Sequence, residues 1–190
     1  TWLADANYAE TSGYAVRMDW YEAGTWIGAL TIGGIGGWRL PTWTDMGPFD
    51  CNHGFSGTDC GYNVDTASGE MAHMHYVTLG NLAYYDTSGN GEQPGWGLTN
   101  TGPFANLQAF RYWTSETFPG NVYSAVYFAF DTGEQYVSAK TALGGVADQY
   151  AWAVHAGDVG VPVVPEPGTL WLCGTALAAL SGVGRRRTAS

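Results

Sequence analysis

The side chains that do chemistry in proteins are sparse in this chain. Four histidines are present, His53, His73, His75 and His155, with three cysteines, Cys51, Cys60 and Cys173. His73 and His75 are two residues apart. On the helix expected there they point about 200° apart around the axis and cannot share a ligand, whereas on a strand they would share a face and could bind a metal. The helical reading is the stronger, so no metal role is assigned to them. Cys51 and Cys60 bracket a polar, Gly-rich stretch, CNHGFSGTDC. Three states are open to that pair: a local disulfide, a metal loop with His53 and Asp59 between the thiols, or two free thiols. The spacing matches no zinc pattern, so a Cys51–Cys60 disulfide made in an oxidising compartment is expected.

Asp86, Ser88 and Asn90 form the opening D-x-S-x-N-G of an EF-hand loop, but the twelfth position is Gly97 instead of a bidentate Glu. Calcium is thus the single cofactor the sequence leaves open, and ordinary turn formation accounts for the same residues. No nucleophile elbow, P-loop or H-E-x-x-H motif occurs, and Gly33-Gly34-Ile35-Gly36-Gly37 is followed by an extended segment, so it cannot cradle phosphate on a helix N-terminus. No catalytic residue is assigned and a non-enzymatic protein is expected. The tryptophans offer flat apolar faces of the kind that stack on sugar rings. Trp20, Trp38, Trp113 and Trp152 sit on periodic or extended segments and read as core. Trp43 and Trp96 lie in loops and are the candidate ligand contacts, although each reads first as a loop anchor.

These residues need elements to position them. Trp20, Ala23, Ile27 and Leu30 share one face of a helix, ended by the glycine pairs that follow. Trp38 to Thr42 is a short extended segment closed by Pro41. A second helix is expected from Gly69 or Glu70 to Leu79, capped by Ser68. Residues 80–103 carry no periodicity and read as a long loop of the kind that carries function. Strands follow at Phe110–Ser115, Val122–Phe130 and Gln135–Ala139, the last two joined by Asp131-Thr132-Gly133, and at Tyr150–His155. The expected fold class is α+β: a small antiparallel sheet with two main helices and long Gly-rich loops.

Bulk properties narrow the function. The 190 residues are 45% hydrophobic, 13% charged and 15% aromatic, which fits one folded domain. Residues 1–164 have Arg17, Arg39, Arg111 and Lys140 as their only cations against sixteen carboxylates, a formal charge of −12. Such a surface repels nucleic acid, anionic lipid and sulfated polysaccharide, so a nucleic-acid partner is excluded.

The C-terminus has a different composition. Two prolines hold Val163–Pro167 extended. From Gly168 to Gly184 the chain is apolar or small, with Leu170, Trp171, Leu172, Leu177 and Leu180 as its bulk, and Arg185, Arg186 and Arg187 close it. Seventeen residues lie at the lower limit of the ~17–25 that span a bilayer. The arginines act as a stop and fix their own end as cytoplasmic. Residues 1–158 are therefore expected to be an extracytoplasmic domain, 159–164 a linker, and 165–190 a segment with a transmembrane helix. Thr1 opens the chain without Met or leader, so a signal peptide and a first strand of the domain are expected to be missing from it.

Val164-Pro165-Glu166-Pro167-Gly168, the apolar span and the Arg cluster together resemble a PEP-CTERM sorting signal of Gram-negative bacteria. The resemblance implies an inner-membrane anchored precursor, processing by an exosortase-type enzyme near Pro165, Glu166 and Pro167, and transfer to the cell surface or the extracellular matrix. It also implies an organism that makes extracellular polysaccharide.

Met18-Asp19-Trp20-Tyr21-Glu22-Ala23, Gly37-Trp38-Arg39-Leu40-Pro41-Thr42, Tyr112-Trp113-Thr114-Ser115 and Trp152-Ala153-Val154 resemble the Lcl C-terminal domain, across most of residues 1–158. That family is similar to C-type lectins and formylglycine-generating enzymes. The resemblance implies a lectin-like α+β domain in secreted or surface proteins, some of them biofilm adhesins. His155 stands where relatives commonly have Arg, and the cysteine pair on which the formylglycine chemistry depends has no counterpart, so that activity does not carry over. The resulting expectation is a polysaccharide- or partner-binding surface protein, with a self-associating matrix component as the alternative.

Overall fold

The computed structural model describes residues 1–47, 50–141 and 147–159. Thr1–Asp158 forms one compact unit. The sorting motif Pro165–Pro167, the apolar span and Arg185–Arg187 lie outside the described residues. Among the residues described, no helix is long and apolar enough to cross a membrane.

A one-turn helix, α1 (Tyr8–Thr11), precedes the main helix α2 (Trp20–Ala29). Asp19 starts α2 with a reciprocal cap. Its carboxylate accepts from the Glu22 amide at 2.9 Å, and the Glu22 side chain accepts from the Asp19 amide at 3.2 Å. The buried face is Ala23, Trp26 and Ile27. Trp26 belongs to the stripe in place of Leu30, because Leu30 has already left the helix with ψ at 132°.

The second predicted helix is present but differs in form. α3 (Glu70–His73) runs directly into one π turn (Met74–Thr78), where the Leu79 amide donates to the Met74 carbonyl at 2.9 Å. Ser68 does not cap it. Gly69 takes the capping position without a side-chain bond, and the buried Ser68 hydroxyl instead accepts from Gln135 at 3.0 Å. The wider π turn leaves His73 exposed and His75 fully buried.

The sheet has five strands: β1 (His53–Gly54), β2 (Cys60–Gly61), β3 (Arg111–Thr117), β4 (Ser124–Ala129) and β5 (Glu134–Ala139), in the order β1-β2-β5-β4-β3. It is mixed, which corrects the expected all-antiparallel arrangement. β3, β4 and β5 form the antiparallel meander, while β1 and β2 pair in parallel. The parallel pair arises because the chain loops back between Cys51 and Cys60 and re-enters in the same direction. Gly61 makes this closeness feasible. Its φ is +93°, and a Cβ there would lie 2.0 Å from the Gly54 carbonyl oxygen.

The expected final strand, Tyr150–His155, is extended but has no single ladder. Tyr150 bridges Tyr112 in parallel, while Val154 bridges both Arg39 and Trp2. By dividing its hydrogen bonds among three neighbours, this segment fastens the N-terminus and the Trp38–Thr42 stretch to the sheet. The core beneath is aromatic: Tyr112, Trp113, Phe128, Phe130 and Trp152 are completely buried, with Met18, Ile27 and Met71 between elements. Buried indoles are satisfied by carbonyls, Trp113 donating to Met18 at 3.0 Å and Trp152 to Leu3 at 2.8 Å.

Candidate functional site: an aromatic surface around Glu134

Outward-facing positions alternate along β5, so Glu134 and Tyr136 share one face while Gln135 is buried on the other. Tyr127 of β4 stands opposite Tyr136 in register. Its hydroxyl donates to Glu134 at 3.0 Å. From β1, across the short β2, His53 brings its Nε2 to 3.8 Å from the same carboxylate and its ring to 5.2 Å from Tyr136. Glu134 is thus set among rings.

The rings continue past the sheet. Phe55 and Tyr62 lie nearly parallel at 6.1 Å, and Tyr85 meets them edge-on at 5.2 and 4.8 Å. Tyr84 links Tyr85 to Trp96, each at 4.8 Å. Phe55 and Tyr136 keep 39% and 38% of their surface in solvent, which makes them the most open rings of the series. Arg111 lies over the Tyr127 ring, 4.8 Å from its centroid.

Two devices hold this surface. Cys51 and Cys60 are joined by a disulfide with their Cα atoms 5.4 Å apart, so the loop that carries His53 and Phe55 is closed. Asp59 within it is buried, accepting from the amides of Asn52 at 2.8 Å and Met46 at 3.0 Å. That engagement, with the thiols already joined, removes the alternative of a metal loop using His53 and Asp59. The second device is Asn63, whose side-chain amide donates to the carbonyls of Phe55 at 3.1 Å and Tyr85 at 2.9 Å. It ties the disulfide loop to the 80–103 loop.

The electrostatics follow from this packing. Burial, helped by the Glu134 charge, pushes the Tyr62 phenol up to about 12. Tyr127 rises for the same two reasons. Both hydroxyls are therefore neutral donors at physiological pH.

Of the sequence-predicted contacts, Trp43 is corrected. It is only 4% exposed, packed with Cys60 and Val126, and its indole donates to the Asp59 carbonyl at 3.1 Å. Its ring is the floor of the disulfide loop and has no face for a ligand. Trp96 is half-buried against Tyr84, at the edge of the ring series. Asp86, Ser88 and Asn90 fold as a closed turn. The Asp86 carboxylate accepts from the amides of Ser88 at 2.8 Å and Asn90 at 2.9 Å, and these bonds, the Asn90 amide first, hold its pKa below the usual range. Gly97, at the twelfth position, donates instead to Leu82. In this arrangement the carboxylate caps its own turn.

A shallow cleft of about 280 Å³ lies elsewhere, lined by Trp2, Thr42, Thr44, Ser68, Glu70 and His73. Its acids are occupied. Arg39 binds Glu70 through two bonds of 2.6 and 2.9 Å, and the Thr42 amide adds a third at 2.7 Å. Nearby Glu116 accepts from the Trp43 amide at 2.6 Å and the Ser115 hydroxyl at 2.5 Å. Burial raises the Glu116 pKa against those bonds. Glu70 joins the Trp38–Thr42 stretch to α3, and Glu116 joins Trp43 to β3.

Phe55, Tyr62, Tyr85, Tyr127, Glu134 and Tyr136 were not singled out from the sequence. The usable signal was weak: two aromatic residues within or beside the Cys51–Cys60 loop, and a tyrosine on each hairpin strand, Tyr127 buried and Tyr136 exposed. No family model, curated protein or solved structure matches this chain.

Proposed function

We propose that the chain is an exported surface or matrix protein whose domain binds extracellular polysaccharide without chemically altering it. The ring series around Glu134 is the observation that carries this reading. Partly exposed aromatic faces stack on the apolar faces of pyranose rings, while the Glu134 carboxylate, the tyrosine hydroxyls and His53 offer hydrogen bonds to sugar hydroxyls. The non-enzymatic part rests on Glu70, the acid that lines the cleft, and on Glu116, each held by protein donors. The destination rests on the sequence. The Pro165-Glu166-Pro167 motif, the apolar span and Arg185–Arg187 make the chain a substrate for an exosortase-type enzyme at the inner membrane of a Gram-negative bacterium, with the likeness to Lcl C-terminal domains pointing to a surface adhesin.

The test is binding of the full chain to neutral, acidic and sulfated polysaccharides. Saturable binding to one class, weakened by Tyr136→Ala, supports the proposal. Absence of binding to all of them contradicts it.

A specific patch favours a second reading, self-association. Val122 and Tyr123 are 62% and 77% exposed, and Tyr21 is 53% exposed. Lys140 connects them, its amide donating to the Tyr123 carbonyl at 2.9 Å and its ammonium lying 5.5 Å from the Tyr21 ring. Concentration-dependent assembly that Tyr123→Ser abolishes would establish a structural role for this patch.

A further inference from the structure

We infer that the Glu134 surface selects amino sugars with free, protonated amines over acetylated, neutral or sulfated ones. This rests on the polysaccharide reading above and narrows its ligand. Glu134, its side chain 19% exposed, is bonded by the Tyr127 and Tyr62 hydroxyls and stands 3.8 Å from His53, with no Lys or Arg paired to it among the described residues. Arg111 is stacked over the Tyr127 ring. A carboxylate among electron-rich ring faces is a place for a cation, since the rings attract positive charge through their quadrupoles and the carboxylate attracts it directly.

The remainder of the chain acts in the same direction. Residues 1–164 carry a formal charge of −12, which concentrates polycations and repels sulfated chains. An acetylated amine keeps the ring-stacking face but loses the charge. A lysine side chain keeps the charge but has no flat ring. Phe55 and Tyr136 contact the His53 ring at 6.3 and 5.2 Å and keep 39% and 38% of their surface in solvent, so each offers a sugar ring a stacking surface. A cationic glycan uses both features, and this sets it ahead of a basic peptide.

The experiment titrates the full chain with glucosamine oligomers and N-acetylglucosamine oligomers of equal length, in buffer that keeps free amines protonated. A lysine oligomer of equal charge serves as a third ligand. The glucosamine oligomer is expected to bind roughly tenfold more tightly than its acetylated counterpart. Glu134→Gln should cancel that preference, bringing the affinity for the glucosamine oligomer down to that for its acetylated counterpart. Tyr136→Ala should weaken both sugars, and Glu10→Gln, which removes one carboxylate from α1, should change neither. Thermal melting of each variant establishes that it is folded.

Equal or tighter binding of the acetylated oligomer, or a preference that survives Glu134→Gln, overturns the amino-sugar inference and leaves the polysaccharide reading standing. If neither oligomer nor any other glycan binds, both fall. If the lysine oligomer binds as tightly as glucosamine and depends equally on Glu134, the surface belongs to a basic peptide and the inference is overturned.

Discussion

The Tyr127 hydroxyl donates to the Glu134 carboxylate at 3.0 Å across the β4–β5 ladder, diagonal to the direct Tyr127–Tyr136 pair. Through that bond a core strand orients the one acid in the exposed ring series. Tyr127→Phe keeps the ring and deletes the donor. It should lower stability by about 1 kcal/mol in denaturant unfolding, the usual net value of such a bond. An unchanged midpoint would mean that the bond does not hold Glu134 in solution.

The Cys51–Cys60 disulfide should be worth roughly 2–3 kcal/mol, the loop-closure value for a crosslink of this length. Cys51→Ser, or reduction of the native protein, is expected to lower the melting temperature. It should also weaken polysaccharide binding, because His53 and Phe55 sit in the closed loop. A variant as stable as the parent would show that Asp59 and Trp43 alone hold this loop.

Arg39 and Glu70 form a two-bond ion pair, with side chains 37% and 32% exposed. Burial would raise the Glu70 pKa, but the hydrogen bond from Arg39 and those from Thr42 hold it below its ordinary value. The stability from this pair is therefore present above the ordinary carboxylate pKa and is lost as pH falls through the lowered one. Solvent screening reduces the pair itself to a small term, while the Thr42 amide loses a partner. Glu70→Gln should cost about 1–2 kcal/mol at neutral pH, measured by chemical denaturation. Full stability in that variant would show that the junction between the Trp38–Thr42 stretch and α3 is held by packing alone.

His75 is fully buried among Tyr76, Phe128 and Phe130, and neither ring nitrogen makes a well-formed hydrogen bond. Burial lowers its pKa to about 4, opposed in small part by the Leu82 backbone. The fold keeps the ring neutral while the unfolded chain protonates it near 6.5, so stability declines as pH falls from about 6.5 to about 4. The loss attributable to His75 is about 3 kcal/mol over that window. His75→Phe should flatten the slope of melting temperature against pH there. A slope identical to the parent's would contradict this assignment.

Local signals were legible in the sequence where neighbouring residues decide the structure. The stripe through Ala23 and Ile27 and the glycine pairs beyond it led to α2. Asp131-Thr132-Gly133 led to the hairpin, where Gly133 takes a φ of +71°. The Cys51–Cys60 pairing was legible because the loop is short. What failed depended on distant partners. Trp43 lies in a loop by sequence, yet Cys60 and Val126 close over it. Ser68 has the chemistry of a cap, yet a buried Gln135 claims its hydroxyl. The candidate site was illegible for the same reason, since residues 53–62 and 127–136 meet through the sheet order β1-β2-β5-β4, and residues 84–96 join them through Asn63 and the Tyr84–Thr132 backbone bond.

The most direct test of the account is the affinity of the full chain for its best-bound polysaccharide, compared among parent, Phe55→Ala and Tyr136→Ala. Both rings are about two-fifths exposed, so truncation should leave the melting temperature nearly unchanged. Each loss of a stacking face should weaken binding by roughly tenfold. Two stable variants that bind as tightly as the parent would place the ligand elsewhere and contradict the claim that the Glu134 ring surface is the binding site.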